Sequence, residues 1–362
     1  MSSFFTQLPL DDQEILPSVN RRRKRNEKIA IFLVIFLVIF TFSSLAWYFH
    51  ANPNFDPSKC GKRLIGYYKG WGNEKIPEIP FKKLTHVIFS SAVMDKSGTL
   101  KFQNELRERS FLEFREKCRK ENPDLKVMVA IGNGPLPSLN FLVEPEIRNG
   151  TFITSILQFI EKYEIDGIEI QWKKFPKEET LHKLNVIRNL RESLKSRNRP
   201  FLLSLSLPYS GPDYGSLDDI LDLFDFINVQ SFDFSNSSPG PFAPLGSVDR
   251  TMKFLVCQTE KWNKINMGIG FYGRVWKNET FGNFVKFRDI EVFNSDFFEN
   301  EPSVLEKTKY AIDKNLRGIA ISALNFDDGK NSLLNAVTSV DLCSGEDSKT
   351  AKFKCDELFV NI

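Results

Sequence analysis

Eight short runs of apolar and β-branched residues, separated by longer helical patterns, restrict this chain to a narrow set of folds. The runs occupy residues 64–68, 85–89, 126–131, part of 164–176, 201–207, 226–232, 265–271 and 318–324. Each is short, and most are rich in Val, Ile or Phe, which reads as strand. Between most of them lie helical patterns, of which Leu181, Leu184, Ile187, Leu190 and Leu194 form one clear apolar stripe. Strands alternating with helices pair in parallel, either as a closed (β/α)8 barrel or as an open doubly wound sheet. No Gly-rich phosphate loop favours the open sheet, but periodicity alone leaves both.

The fourth run carries polar residues at a regular spacing. Side chains alternate between the two faces of a strand, so Glu169, Gln171 and Lys173 share one face and Ile168, Ile170 and Trp172 the other. In a barrel one face looks inward, and enzymes of that architecture keep their chemistry at the C-terminal ends of the strands. Asp166-Gly167-Ile168-Glu169-Ile170-Gln171-Trp172-Lys173 resembles the signature of glycoside hydrolase family 18, the chitinase family, which reads Asp-Gly-x-Asp-x-Asp-Trp-Glu. Residues 64–71 are similar to that family's first strand and 84–89 to its second. Residues 225–228 with 230–233 are similar to the sixth, and 268–274 to the seventh. The resemblance runs through nearly the whole region and implies an α/β fold, the (β/α)8 TIM barrel of the chitinase type.

It also implies a mechanism whose parts are missing here. In the family the final Glu protonates the glycosidic oxygen, and the Asp two residues earlier holds the substrate's N-acetyl group, whose own carbonyl oxygen attacks. Those positions are Lys173 and Gln171, and the preceding Asp is Glu169. A lysine titrates near about 10.4 and a glutamine not at all, so neither supplies a carboxylic acid. Ala130-Ile131-Gly132-Asn133 replaces Ser-x-Gly-Gly, Phe232 replaces a tyrosine that steadies the N-acetyl group, and Ser322 replaces a tryptophan floor. Catalytic residues are thus expected to be absent, with Glu169, Gln171 and Lys173 as degenerate positions forming a polar plug. Lys173 is expected to pair with Asp233, whose carboxylate is kept. Candidates for ligand contact are Tyr67, Trp71, Phe232, Asp233, Tyr272 and Arg274, and Trp276 also follows a strand end. Phe271, Phe281, Phe284 and Phe287 read as packing between barrel and helix. The stretch between the last two strands is too short for the family's additional α+β insertion, which implies a more open face.

The flanks place the barrel. Arg21-Arg22-Arg23-Lys24-Arg25 and Lys28 precede an uncharged apolar run, 29–49, that is long enough to cross a bilayer and ends in Trp47-Tyr48-Phe49. Positive charge before the run and little after it put residues 1–28 in the cytoplasm, 29–49 in the membrane as a signal anchor, and the rest outside or in the lumen: a single-pass type II protein. A cleaved signal peptide ending at Ser44-Leu45-Ala46 is the rival, against which the long polar leader counts. Residues 50–59 read as a stalk, 60–342 as the barrel and 343–362 as a tail. Asn149, Asn236 and Asn278 stand in glycosylation triplets. Of five cysteines, Cys343–Cys355 is the first expected pair and Cys60–Cys118 the second, with Cys257 a buried thiol. The net charge of +3 argues against nucleic acid, and the three scattered histidines suggest neither metal nor cofactor. With its anchor the chain resembles the membrane-anchored chitinase-like proteins of nematodes. That implies a catalytically inactive protein that binds a chitin-like oligosaccharide or another protein outside the cell. The alternatives are a membrane scaffold or signalling protein that binds no sugar, and a working hydrolase built on Glu169.

Overall fold

The computed structural model describes residues 28–38, 40–41, 57–70, 75–95, 97–132, 150–171, 180–211, 216–235, 239–278, 281–290, 297–344 and 350–356. The chain forms two compact units, 1–54 and 55–362. In the first, residues 28–38 and 40–41 are helical, with large apolar side chains such as Phe32 and Phe40 exposed. Among the described residues no helix is long and apolar enough to cross a membrane, and residues 42–56 lie outside them.

The second unit has strands β1 (Arg63–Lys69), β2 (His86–Met94), β3 (Leu100–Lys101), β4 (Lys126–Gly132), β5 (Gly167–Gln171), β6 (Leu202–Pro208), β7 (Phe226–Gln230), β8 (Ile265–Gly270), β9 (Tyr272–Asn278), β10 (Phe281–Lys286) and β11 (Gly318–Ser322). Its helices are α1 (Glu105–Glu121), α2 (Phe152–Lys162), α3 (Thr180–Lys195), α4 (Leu217–Leu223), α5 (Leu245–Val256), α6 (Glu301–Asp313) and α7 (Ser332–Val337). The order β1-β2-β4-β5-β6-β7-β8-β11 returns on itself, because β11 pairs in parallel with β1 from Arg63↔Gly318 to Tyr67↔Ser322. Closure decides for the (β/α)8 barrel over the open sheet. It also buries most strand residues on both faces, which is why the runs read as near-continuous apolar sequence.

Phenylalanine fills the gap between barrel and helices. Phe89 on β2 meets Phe111 of α1 edge-on at 5.2 Å, and Phe81 meets Phe114 at 5.7 Å. Aspartates at the strand starts tie the layers together. Asp166 accepts Val127 N at 2.7 Å and the Arg119 guanidinium of α1 at 2.6 Å. Asp225 takes Arg191 of α3 through both oxygens at 2.6 Å and accepts Leu203 N at 2.8 Å. Each carboxylate satisfies a backbone donor and a guanidinium at once, and such charge-assisted bonds are the strong kind.

Two features differ from expectation. The first is an antiparallel hairpin, β9–β10, inserted between β8 and β11. Of the four phenylalanines expected between barrel and helix, Phe271 is fully buried, but Phe284 is 40% exposed on this hairpin. The second is the disulfide pattern. Neither Cys343–Cys355 nor Cys60–Cys118 forms; the bonds are Cys60–Cys343 and Cys257–Cys355, with Cα separations of 5.8 and 5.4 Å. Barrel closure brings the chain entering β1 beside the segment after α7, and the tail then reaches the end of α5. Cys257 is therefore not the buried thiol. That role falls to Cys118 on α1, fully buried, its ionisation opposed above all by desolvation. Asn149 and Asn236 lie outside the described residues, and Asn278 ends β9.

Candidate functional site

β5 carries Glu169 and Gln171 into the barrel, as their shared face requires. The backbone of β4 passes so close that a Cβ on Gly132 would stand 2.5 Å from Gln171 O, and Gly132 holds φ +118°, so only glycine fits. Glu169 is fully buried at mid-barrel. Its Oε2 accepts the Tyr67 hydroxyl at 2.7 Å, Asn228 Nδ2 at 2.7 Å and the Ser204 hydroxyl at 3.4 Å, while Oε1 accepts Gln171 Nε2 at 3.0 Å. Burial pushes its carboxyl above the usual range, against the pull of those donors and of the Lys69 charge. Tyr67 is pushed far up by burial and by the carboxylate it serves.

The network continues towards the strand starts. Asn266 Nδ2 donates to Asn228 Oδ1 at 2.8 Å, and Arg63 Nε donates to Asn266 Oδ1 at 2.9 Å. A file of side chains from five strands thus fills the lumen. Asn228, Asn266 and Ser204 were not singled out from the sequence, although each is a polar residue inside an apolar run.

Above this plug, at the C-terminal ends of the strands, lies a cavity of about 270 Å³. Tyr67, Phe232, Asp233, Tyr272 and Arg274 all line it, as do Gln171 and Ser322. Trp71 and Lys173 lie outside the described residues, so the expected Lys173–Asp233 pair does too. The partner that Asp233 has is Arg274, whose Nε and Nη2 donate to its two oxygens at 2.5 and 2.6 Å. The Tyr272 hydroxyl adds a bond at 3.2 Å, and Asp233 sits at φ +60° to meet them. Arg274 also donates to Gly282 O at 2.9 Å, fastening the hairpin to this corner. The ion pair holds Arg274 above its ordinary value.

The remaining wall is aromatic. Tyr272 packs edge-on to Phe232 at 5.8 Å and to Phe242 at 4.8 Å, and lies 4.7 Å from Phe284. A Cβ on Gly268 would stand 2.2 Å from Val229 O and 2.9 Å from the Phe232 ring, so the ring rests on bare backbone. Phe284 and Phe326, 5.2 Å apart, complete the rim. The sequence reading favours Phe284 as packing between barrel and helix, whereas the hairpin places it in this wall.

The arrangement separates its charges from its opening. Glu169 is sealed under four donors, Asp233 is neutralised by Arg274, and Gln171 presents an amide whose Oε1 is buried without a hydrogen-bond partner among the described residues. An unmet acceptor of this kind is costly unless a donor arrives. Among the described residues no cluster of His, Cys, Asp or Glu could hold a metal ion.

This geometry has relatives. The crystal structure of an Ostrinia furnacalis group IV chitinase superposes with a TM-score of 0.66 at 22% identity, covering 77% of this chain and 99% of that one. YKL-39, crystallised in the presence of chitooligosaccharides, superposes with a TM-score of 0.64 at 21% identity, covering 76% and 98%. The chitinase-like protein Idgf2 of Drosophila melanogaster is 26% identical over 217 residues, 44% of this chain and 49% of that one. The match thus spans about half of that relative's length. The model of the glycosyl hydrolases family 18 matches residues 63–327, which is the barrel from β1 to the turn beyond β11. The chain therefore belongs to glycosyl hydrolases family 18.

Proposed function

We propose that this protein is a catalytically inactive, membrane-tethered member of its family whose barrel mouth binds an N-acetylglucosamine-containing glycan. The observation that carries the reading is the state of β5: its one carboxylate, Glu169, is fully buried and occupied by four donors. An acid so enclosed cannot reach a glycosidic oxygen, and the next two positions of the motif in the strand alternation are Gln171 and Lys173. A positioned general acid is worth roughly 10²–10⁴ in rate, and the acetamide-orienting carboxylate is missing as well.

Binding has separate support. The cavity keeps aromatic faces at Phe232, Tyr272 and Phe284, an unmet acceptor at Gln171 and polar groups on opposite walls. Apolar walls with a few fixed polar groups suit a sugar ring. The chitooligosaccharides of the YKL-39 structure mark the ligand class. The tether rests on the basic flank and the uncharged run 29–49.

The test is hydrolysis of a fluorogenic chitotriose by the purified full chain, paired with retention on chitin beads. Turnover should stay at background while the chain is retained, and Phe284→Ala should weaken retention. Enzyme-like turnover abolished by Glu169→Gln would return the protein to the hydrolases. Absence of retention would favour a scaffold that binds no sugar, a reading to which the loss of an aromatic floor at Ser322 lends weight.

A further inference from the structure

Where the chain enters the barrel, at the end away from the cavity, three cations converge with no carboxylate in contact among the described residues. Lys62, just before β1, is only 7% exposed, and among the described residues its ammonium makes no hydrogen bond or ion pair. Arg317, just before β11, is half-buried, and its guanidinium likewise makes neither. The β1–β11 register sets the two side by side: Arg63 N donates to Arg317 O at 2.9 Å, and a Cβ on Gly61 would stand 3.1 Å from Arg317 Nη2. Gly61 holds φ +67°, and the preceding Cys60 is bonded to Cys343, so the turn is held in place. Arg63 is the third cation. Its guanidinium meets only neutral acceptors, Asn266 Oδ1 at 2.9 Å and Asn263 O at 2.6 Å.

The cost of this arrangement shows in the proton affinities. Burial first and the Arg317 charge second push the Lys62 ammonium below its usual value; Lys352 adds to this, and exposed Asp341 offsets it in part. Burial and Arg317 also push Arg63 down to about 10. Cations removed from water are expensive unless an anion joins them. An arginine fork beside a lysine is complementary to a tetrahedral oxyanion, the fork giving two donors and the ammonium a point charge.

We propose that Lys62 and Arg317 form an oxyanion-binding site that takes a phosphate or sulfate group at the N-terminal ends of the barrel strands. Two sources carry that chemistry: the free inorganic ion, and the phosphodiester of a lipid headgroup, relevant because an apolar run precedes the barrel in the chain.

The experiment uses the full chain in a non-ionic detergent that contains no phosphate. Its unfolding midpoint is followed as inorganic phosphate is titrated at constant ionic strength, and separately as monomeric dihexanoylphosphatidylcholine is titrated. A saturable rise in midpoint is expected, with the apparent affinity at least about ten-fold weaker in Arg317→Gln and in Lys62→Met. Lys195→Gln, at the exposed end of α3, should respond as the wild type does. A response to phosphate alone assigns the site to the free ion, and a response to the lipid that competes with phosphate assigns it to a headgroup. Should Lys62→Met fail to fold, half-buried Arg317→Gln decides by itself. No saturable response to either probe, or an unchanged response in Arg317→Gln, overturns the site.

Discussion

Glu169 behaves as a structural acid. Four donors converge on it, and removing the carboxylate would leave Tyr67, Asn228 and Gln171 to find other partners inside the barrel. Truncation to alanine should therefore destabilise the fold by at least about 1–3 kcal/mol, the cost of leaving one buried polar group unsatisfied. Its titration gives a second readout. Burial raises the folded-state pKa above the unfolded value near about 4.3, so the folded protein holds this proton more tightly. The contribution is full below the unfolded pKa and is lost as pH rises through the folded one. Urea unfolding of wild type and Glu169→Gln from acid to neutral pH should show the wild type losing stability relative to the variant as pH rises. A pH-independent difference would mean that the carboxyl titrates alike in both states.

At the scale of elements, the hairpin β9–β10 and the two disulfides shape what the barrel strands leave open. The hairpin brings Arg274 onto Asp233 and Phe284 to the rim, and Gly273 lets it lie flat against the chain before α6. A Cβ there would stand 2.3 Å from Phe297 O, so Gly273→Ala should displace the wall. The disulfides join segments 283 and 98 residues apart. Closing long loops restricts the unfolded chain most, and loss of such a bond typically costs about 2–5 kcal/mol. The double variant Cys60→Ser, Cys343→Ser should lower the denaturation free energy by that order, and a change within error would show that the strand pairing at Arg63 needs no staple. Neither bond could be read from spacing, because pairing depends on which Cα atoms lie within about 7 Å after folding.

For the whole molecule, the proposed tether makes a direct prediction: the full chain should stay with the membrane pellet after alkaline carbonate extraction, and deletion of 29–49 should release it. Release of the intact chain by carbonate would sink the anchor. What the sequence determined alone was local and periodic. The eight runs specified strands, the alternation of Glu169 and Gln171 put both on one face, and motif order pointed to a closed barrel with Tyr67, Phe232, Asp233, Tyr272 and Arg274 around its mouth. Tertiary structure decided who meets whom. Asp233 is held by Arg274 from a hairpin 41 residues on, Glu169 by Tyr67 and Asn228 from 102 and 59 residues away, and Lys62 is in contact with no anion among the described residues. Those outcomes depend on barrel closure and on which polar groups are left unmatched when water is excluded, and no short stretch of sequence encodes either.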